Sequence, residues 1–264
     1  MKITDAHSHI YPDKIAARAS ECVGAFYAAA DMMRHTGSVD ELLRSGGAAG
    51  VTRYWVYSVA TSPAQVRPIN SFIARECALH PEFVGFGAIH PDVEDMGGEI
   101  QNILDLGLKG VKIHPDFQRF YLDEDRVMGI YEALEGRLPL VTHTGDYRFD
   151  FSHPGRLAKV LARFPNLTVV AAHFGGWSVW DEAHEMLHKT NCLVDCSSTF
   201  GFLNDDDASK KLVDKWGADR ILWGVDFPMW DHAEELETLR GLGLSSGDME
   251  KILWKNAESI VPSE

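Results

Sequence analysis

Residues 138–173 read LPLVTHTGDYRFDFSHPGRLAKVLARFPNLTVVAAH. Two apolar, β-rich runs, LPLVTH (138–143) and LTVVAAH (167–173), flank an amphipathic stretch, GRLAKVLARF (155–164). Strand, helix and strand in that order predict a parallel pair with a helical crossover, because a tight turn cannot join parallel neighbours. Each run ends on a histidine, His143 and His173.

The same unit recurs on either side. KITDAH (2–7), VTRYWVYSVA (51–60), FVGFGAI (83–89) and GVKIH (110–114) precede it, and CLVDCS (192–197) and RILWGVD (220–226) follow, which makes eight runs. Amphipathic segments lie between them, among them IQNILDLGL (100–108), MGIYEALE (128–135), ASKKLVDKW (208–216) and AEELETLRGLGL (233–244). Eight strand-and-helix units in 264 residues match the count and size of a (β/α)8 TIM barrel, so we expect one α/β domain over 1–264. Residues 11–50, helical in character, read as an elaborated first βα loop, and 245–261 as a capped final helix starting near Ser246 or Asp248. The run Asp205, Asp206 and Asp207 reads as a solvated helix start.

A barrel places its chemistry at the C-terminal strand ends. There the eight runs carry His7 and His9, Ser58, His90, His114, His143, His173, Ser197 and Asp226. Histidine is 12 of 264 residues, about one in 22, so scatter would hardly place it at five of eight ends. His7 and His9 share a strand face about 7 Å apart along the chain. Imidazole and carboxylate groups suit zinc and similar divalent ions, so His7, His9, one further histidine and Asp226 fit a ligand set, and a remaining histidine is free for acid–base work.

Charge and composition narrow the partners. A formal charge of −14 argues against nucleic acid and anionic membrane surfaces and in favour of a small-molecule substrate. The four cysteines lack zinc-ribbon spacing and read as reduced structural thiols, and no apolar stretch is long enough to span a bilayer, so a cytoplasmic protein is expected.

The stretches DAHSH, GVKIHP, VTHTGD, AAHFGG, WGVDFP and KILWKNA resemble the amidohydrolase superfamily, in the branch that includes aminocarboxymuconate semialdehyde decarboxylase and γ-resorcylate decarboxylase. The resemblance implies one divalent ion, Zn2+ before Mn2+ or another, held by His7, His9, His143 and Asp226. It also implies that His173 polarises water or substrate and that His173 and Asp226 move protons. Lys112 stands where two-metal members carry a carboxylated bridging lysine, although GVKIHP resembles the one-metal branch, in which the lysine balances charge or binds substrate. His114 touches substrate or turns the chain before Pro115; His90 has the same two readings before Pro91. Arg119 and Arg148 could pair with a substrate carboxylate, and Trp177 walls the pocket or packs. His80 and His153, each before proline, read as loop formers, and His35, His184, His188 and His232 as solvated.

Two reactions share this ligand set. The first reading is a hydrolase of a small polar or carboxylated substrate, such as an amide or lactone, with metal-activated water as the nucleophile; a chain shorter than expected of the decarboxylases favours it. The alternative is a non-oxidative decarboxylase, and a third reading is a barrel that only binds a metabolite. Many members of the family form dimers, so a homodimer is implied as well.

Overall fold

Each of the eight runs becomes a strand: β1 (Thr4–His9), β2 (Arg53–Tyr57), β3 (Phe83–Ala88), β4 (Gly110–Ile113), β5 (Leu140–Thr142), β6 (Val169–Ala171), β7 (Leu193–Asp195) and β8 (Ile221–Leu222). They follow one another in a single eight-stranded sheet in the order β1 to β8. With helices between successive strands, this is the (β/α)8 barrel that the alternation predicts. The structure is a computed structural model and describes residues 2–263. The chain divides into two compact units, one made of residues up to Val56 together with those from Cys196 onward, the other of Tyr57–Asp195.

In the Tyr57–Asp195 unit, β3 to β7 pair parallel, with Ala88 beside Lys112, Ile113 beside Thr142 and Thr142 beside Ala171. Their apolar residues are buried on both faces, which is why these runs read as continuous rather than alternating. The buried Gln118 fastens three strand ends: its Oε1 accepts the His114 amide at 2.8 Å, and its Nε2 donates to the carbonyls of Ala60 at 2.8 Å and Ile89 at 2.7 Å. Asn70 serves β3 in the same way, pairing with both backbone groups of Ala88.

The other unit contains the elaborated first loop, which forms helices at Asp13–Phe26 and Val39–Ala49. The last strand has two residues, and a π turn at Lys251–Lys255 extends its bonding: the Ile252 carbonyl accepts the Trp223 amide at 2.9 Å. The final helix begins at Ser246, one of the two expected positions, with Ser245 as its cap. The aspartate run is a helix start as read, since the Asp205 side chain accepts the Ala208 amide at 2.9 Å. Removing that cap with Asp205→Ala is expected to lower stability by about 1 kcal/mol. A urea melt shows it as an earlier midpoint; Asp205→Ala melting with the wild type would contradict the cap assignment.

Candidate metal centre

The first unit brings His7, His9 and Asp226 together. His7 and His9 leave the same face at the end of β1, with ring centroids 5.3 Å apart. Asp226 follows β8 and is tied to β1 by its amide, which donates to the His7 carbonyl at 2.8 Å. Its backbone is left-handed, φ 62°, a conformation in which aspartate is among the few tolerated side chains. The turn aims one carboxylate oxygen at both rings, Oδ1 standing 3.3 Å from His7 Nε2 and 3.4 Å from His9 Nε2.

The other polar atoms of His7 and Asp226 are held from behind. His7 Nδ1 meets Ser197 Oγ at 3.0 Å, which leaves Nε2 as the nitrogen facing the carboxylate. Ser198 Oγ donates to Asp226 Oδ2 at 2.5 Å and accepts from Trp230 Nε1 at 2.9 Å. Gly224 lies under His7, where an added Cβ would come within 2.8 Å of the histidine Cβ. The donor set fits a divalent cation: ligands at about 2.0–2.1 Å in a tetrahedron stand about 3.3–3.4 Å from one another, the separation of each imidazole nitrogen from Oδ1.

In the Tyr57–Asp195 unit, His143 and His173 form a second buried group. His143 Nε2 lies 3.0 Å from the Gly145 carbonyl and 3.6 Å from Asp116 Oδ2. A carbonyl only accepts, so Nε2 carries hydrogen and Nδ1 accepts from His173 Nε2 at 3.0 Å. His173 is left-handed, φ 59°, and its amide donates to Asp195 Oδ1 at 3.1 Å. Strained non-glycine backbone of this kind collects at functional sites, and both residues expected to move protons show it.

His114 stacks on His143 at 4.0 Å and 7°, and its Nδ1 accepts the Phe117 amide at 3.3 Å, so it caps the turn before the short helix Pro115–Gln118. With Asp116 these two histidines have ligand atoms within 4.8 Å of one another. An ion lies in the plane of each imidazole that binds it, and two stacked, nearly parallel rings offer no common in-plane point. We therefore read this trio as a hydrogen-bonded support and not as a metal centre. Burial, with the negative charge of Asp146 nearby, pushes the Asp116 carboxyl up to about 7 even though Ser152 donates to it at 2.6 Å.

The remaining residues have separate surroundings. Lys112 is buried with its Nζ 5.1 Å over the Tyr57 ring. Arg148 makes a two-pronged pair with Asp146, at 2.9 and 2.6 Å, and lies over Phe149 and Trp177 at 5.2 and 5.5 Å. Arg119 is exposed and left-handed, φ 57°, at the end of its short helix. His90 is a turn residue, its Nδ1 accepting the Asp92 amide at 3.2 Å. His153 caps the helix Pro154–Arg163 through the Gly155 amide, in keeping with a loop role. His232, expected to be solvated, is instead fully buried and bonded to Asp5 at 3.0 Å. Asp5, Asp116, Ser198 and Trp230 did not stand out in the sequence, whereas Ser197 could be found there by its place at a strand end.

A family model described as amidohydrolase matches residues 4–262. Among solved structures, an uncharacterized TIM-barrel protein from Bordetella bronchiseptica is 22% identical, with 99% of this chain and 98% of that one covered and a TM-score of 0.76. The 5-carboxyvanillate decarboxylase of Sphingomonas paucimobilis is 18% identical over 98% of each chain, TM-score 0.76. A 5-carboxyvanillate decarboxylase from Novosphingobium aromaticivorans, in complex with manganese and 4-hydroxy-3-methoxy-5-nitrobenzoic acid, is 19% identical over 97% of this chain and 95% of its own, TM-score 0.76.

Proposed function

A chain matched so nearly end to end belongs to the amidohydrolase family, and from that premise we propose that it is a metal-dependent, non-oxidative decarboxylase of a hydroxylated aromatic acid. The observation that carries the reading is the His7, His9 and Asp226 trio, two imidazoles facing one carboxylate oxygen. His7, His9 and Asp226 would hold one divalent ion, and the resemblance adds His143, which would have to offer the Nδ1 lone pair that faces His173. Manganese stands beside the zinc that the sequence favours, because it is bound in the Novosphingobium relative and accepts the same ligands. When bound, such an ion supplies positive charge that orients a substrate carboxylate and draws electron density from it.

The protein's own groups would move the proton. In this reading Asp226 in its acid form delivers a proton to the ring carbon that bears the carboxylate. The bond from that carbon to the carboxylate then breaks, its electron pair restores the aromatic ring, and carbon dioxide leaves: an aryl carboxylate and one proton become an arene and CO2. No oxidant enters. Ser198, bonded to Asp226 Oδ2, keeps the other oxygen turned toward its work. His173 polarises the substrate, its left-handed turn held by Asp195.

For substrate binding we propose Lys112, His114, Arg119, Arg148 and Trp177, in unequal parts. Lys112 offers a buried positive charge. The Asp146 carboxylate already neutralises Arg148, so Arg148 contributes a flat face together with Trp177 more than a carboxylate anchor. The hydrolase reading drew support from chain length, and that support weakens, because the Sphingomonas decarboxylase aligns over 98% of both chains.

The test is a panel of ortho-hydroxylated benzoates, lactones and small amides offered to Mn2+-loaded protein, with CO2 and ring-opened products both measured. We expect CO2 from a benzoate with no oxygen consumed. Turnover of a lactone or amide without CO2 would return the chain to the hydrolases.

A further inference from the structure

A chain of polar side chains runs through the core of the first unit behind His7 and Asp226. Asp5 is fully buried and accepts four hydrogen bonds. Its Oδ1 takes the backbone amides of His7 at 2.9 Å and Val225 at 3.1 Å; its Oδ2 takes the Ser8 hydroxyl and His232 Nε2, the latter at 3.0 Å. His232 is equally buried among the rings of Tyr54, Trp223 and Phe227, and its Nδ1 meets Ser45 Oγ at 2.8 Å. Ser45 in turn donates to Asp231 Oδ2 at 3.0 Å.

Order of side chains alone makes Ser45, His232 and Asp5 look like a nucleophile, base and orienting acid. Their burial argues otherwise, since Ser45 lies on the buried face of helix Val39–Ala49 with Asp231 already claiming its hydroxyl. Stability does not account for the chain either: a buried acid–histidine pair roughly breaks even against apolar side chains of the same size. What distinguishes Asp5 is where its two amide partners lie. One belongs to the ligand residue His7, the other to Val225, next to the ligand residue Asp226, and a single carboxylate oxygen gathers both.

We propose that Asp5 is the positioning residue of the metal centre, fixing the spacing between the β1 and β8 ligand segments, and that His232, backed by Ser45, fixes Asp5. The proposal rests on the metal-binding reading above. Losing such a support behind a ligand set typically costs 10–100-fold in metal affinity. Glutamine can replace histidine here as the N–H donor to Asp5; leucine offers none.

The experiment titrates Mn2+ into demetallated wild type, Asp5→Asn, His232→Gln and His232→Leu by calorimetry, with circular dichroism and a thermal melt of each metal-free protein. We expect His232→Leu and Asp5→Asn to stay folded and bind Mn2+ about 10–100-fold more weakly, and His232→Gln to recover most of the affinity. If Asp5→Asn does not fold, the two His232 variants decide. Folded His232→Leu with wild-type affinity overturns the positioning role and leaves the metal centre standing. Equal weakening in His232→Gln and His232→Leu also overturns it, because the hydrogen bonds would then not be the cause. Wild type that binds no Mn2+ overturns the metal reading itself, and this inference with it.

Discussion

Asp226→Asn is expected to remain folded, bind a divalent ion more weakly and lose about 10²–10⁴-fold in turnover, the share usual for a positioned proton donor. Folding should survive because asparagine tolerates the left-handed φ of 62° and can still accept from Ser198 Oγ through its carbonyl. Affinity should fall because that carbonyl is then committed to Ser198, and the amide nitrogen turned toward His7 and His9 has no lone pair to give. Turnover should fall further than affinity, since even at saturating Mn2+ an amide cannot pass a proton to the ring carbon. The measurement is CO2 release at saturating metal, alongside metal content per chain and a melt of the metal-free protein. Wild-type turnover in a folded, metal-loaded Asp226→Asn would remove Asp226 from the chemistry. A loss that excess Mn2+ restores in full would confine it to holding the ion.

The fold and the candidate centre differ in how much of each the sequence reveals. The strands could be read because their cause is local: an apolar run, a helix-length amphipathic segment and another apolar run, repeated, leave few arrangements other than a parallel sheet. The trio His7, His9 and Asp226 could be read because strand ends are fixed points of a barrel, and a residue type crowded at those points stands out against its frequency. The supports behind it have no such signature. His232 begins a helix in the sequence DHAEELETL, where any periodicity argument places it in solvent, and its partner Asp5 is 227 residues away. Burial there is decided by Tyr54, Trp223 and Phe227 closing around the ring, a tertiary event that local pattern does not encode. Ser198 and Asp116 are hidden for the same reason, since only folding brings Asp226 to the one and Ser152 to the other. Arg148 errs in the opposite direction: it looks like a carboxylate anchor in sequence, and its own neighbour two residues back takes up the charge.

Gly145→Ala should be among the most destabilising single-methyl additions in the Tyr57–Asp195 unit. Gly145 has φ +77°, and a Cβ there would lie 2.5 Å from Gly176 Cα, 2.7 Å from Gly176 C and 2.9 Å from the Trp177 nitrogen. These are backbone atoms, which cannot swing aside as a flexible side chain would. The two loops are also bonded across the contact, the Trp177 amide donating to the Thr144 carbonyl at 2.8 Å, so parting them to admit a methyl breaks the bond that orders the turn after β6. The left-handed conformation costs an alanine about 1–2 kcal/mol and the overpacking about 1–3 kcal/mol more. At roughly 2–4 °C per kcal/mol for a chain of this size, the melting temperature should fall by many degrees. The shift also moves the Gly145 carbonyl that fixes the hydrogen on His143 Nε2, so, under the proposed ligand set that includes His143, Mn2+ should be bound more weakly in the surviving folded protein. Gly107→Ala separates the two causes: it has a similar φ of +75° and no neighbour within 4 Å of the added carbon. Thermal melts of both variants, with Mn2+ titrations of each, test the argument. Gly145→Ala melting no earlier than Gly107→Ala would mean that the loops after β5 and β6 part without cost, and that His143 is not held by the contact described.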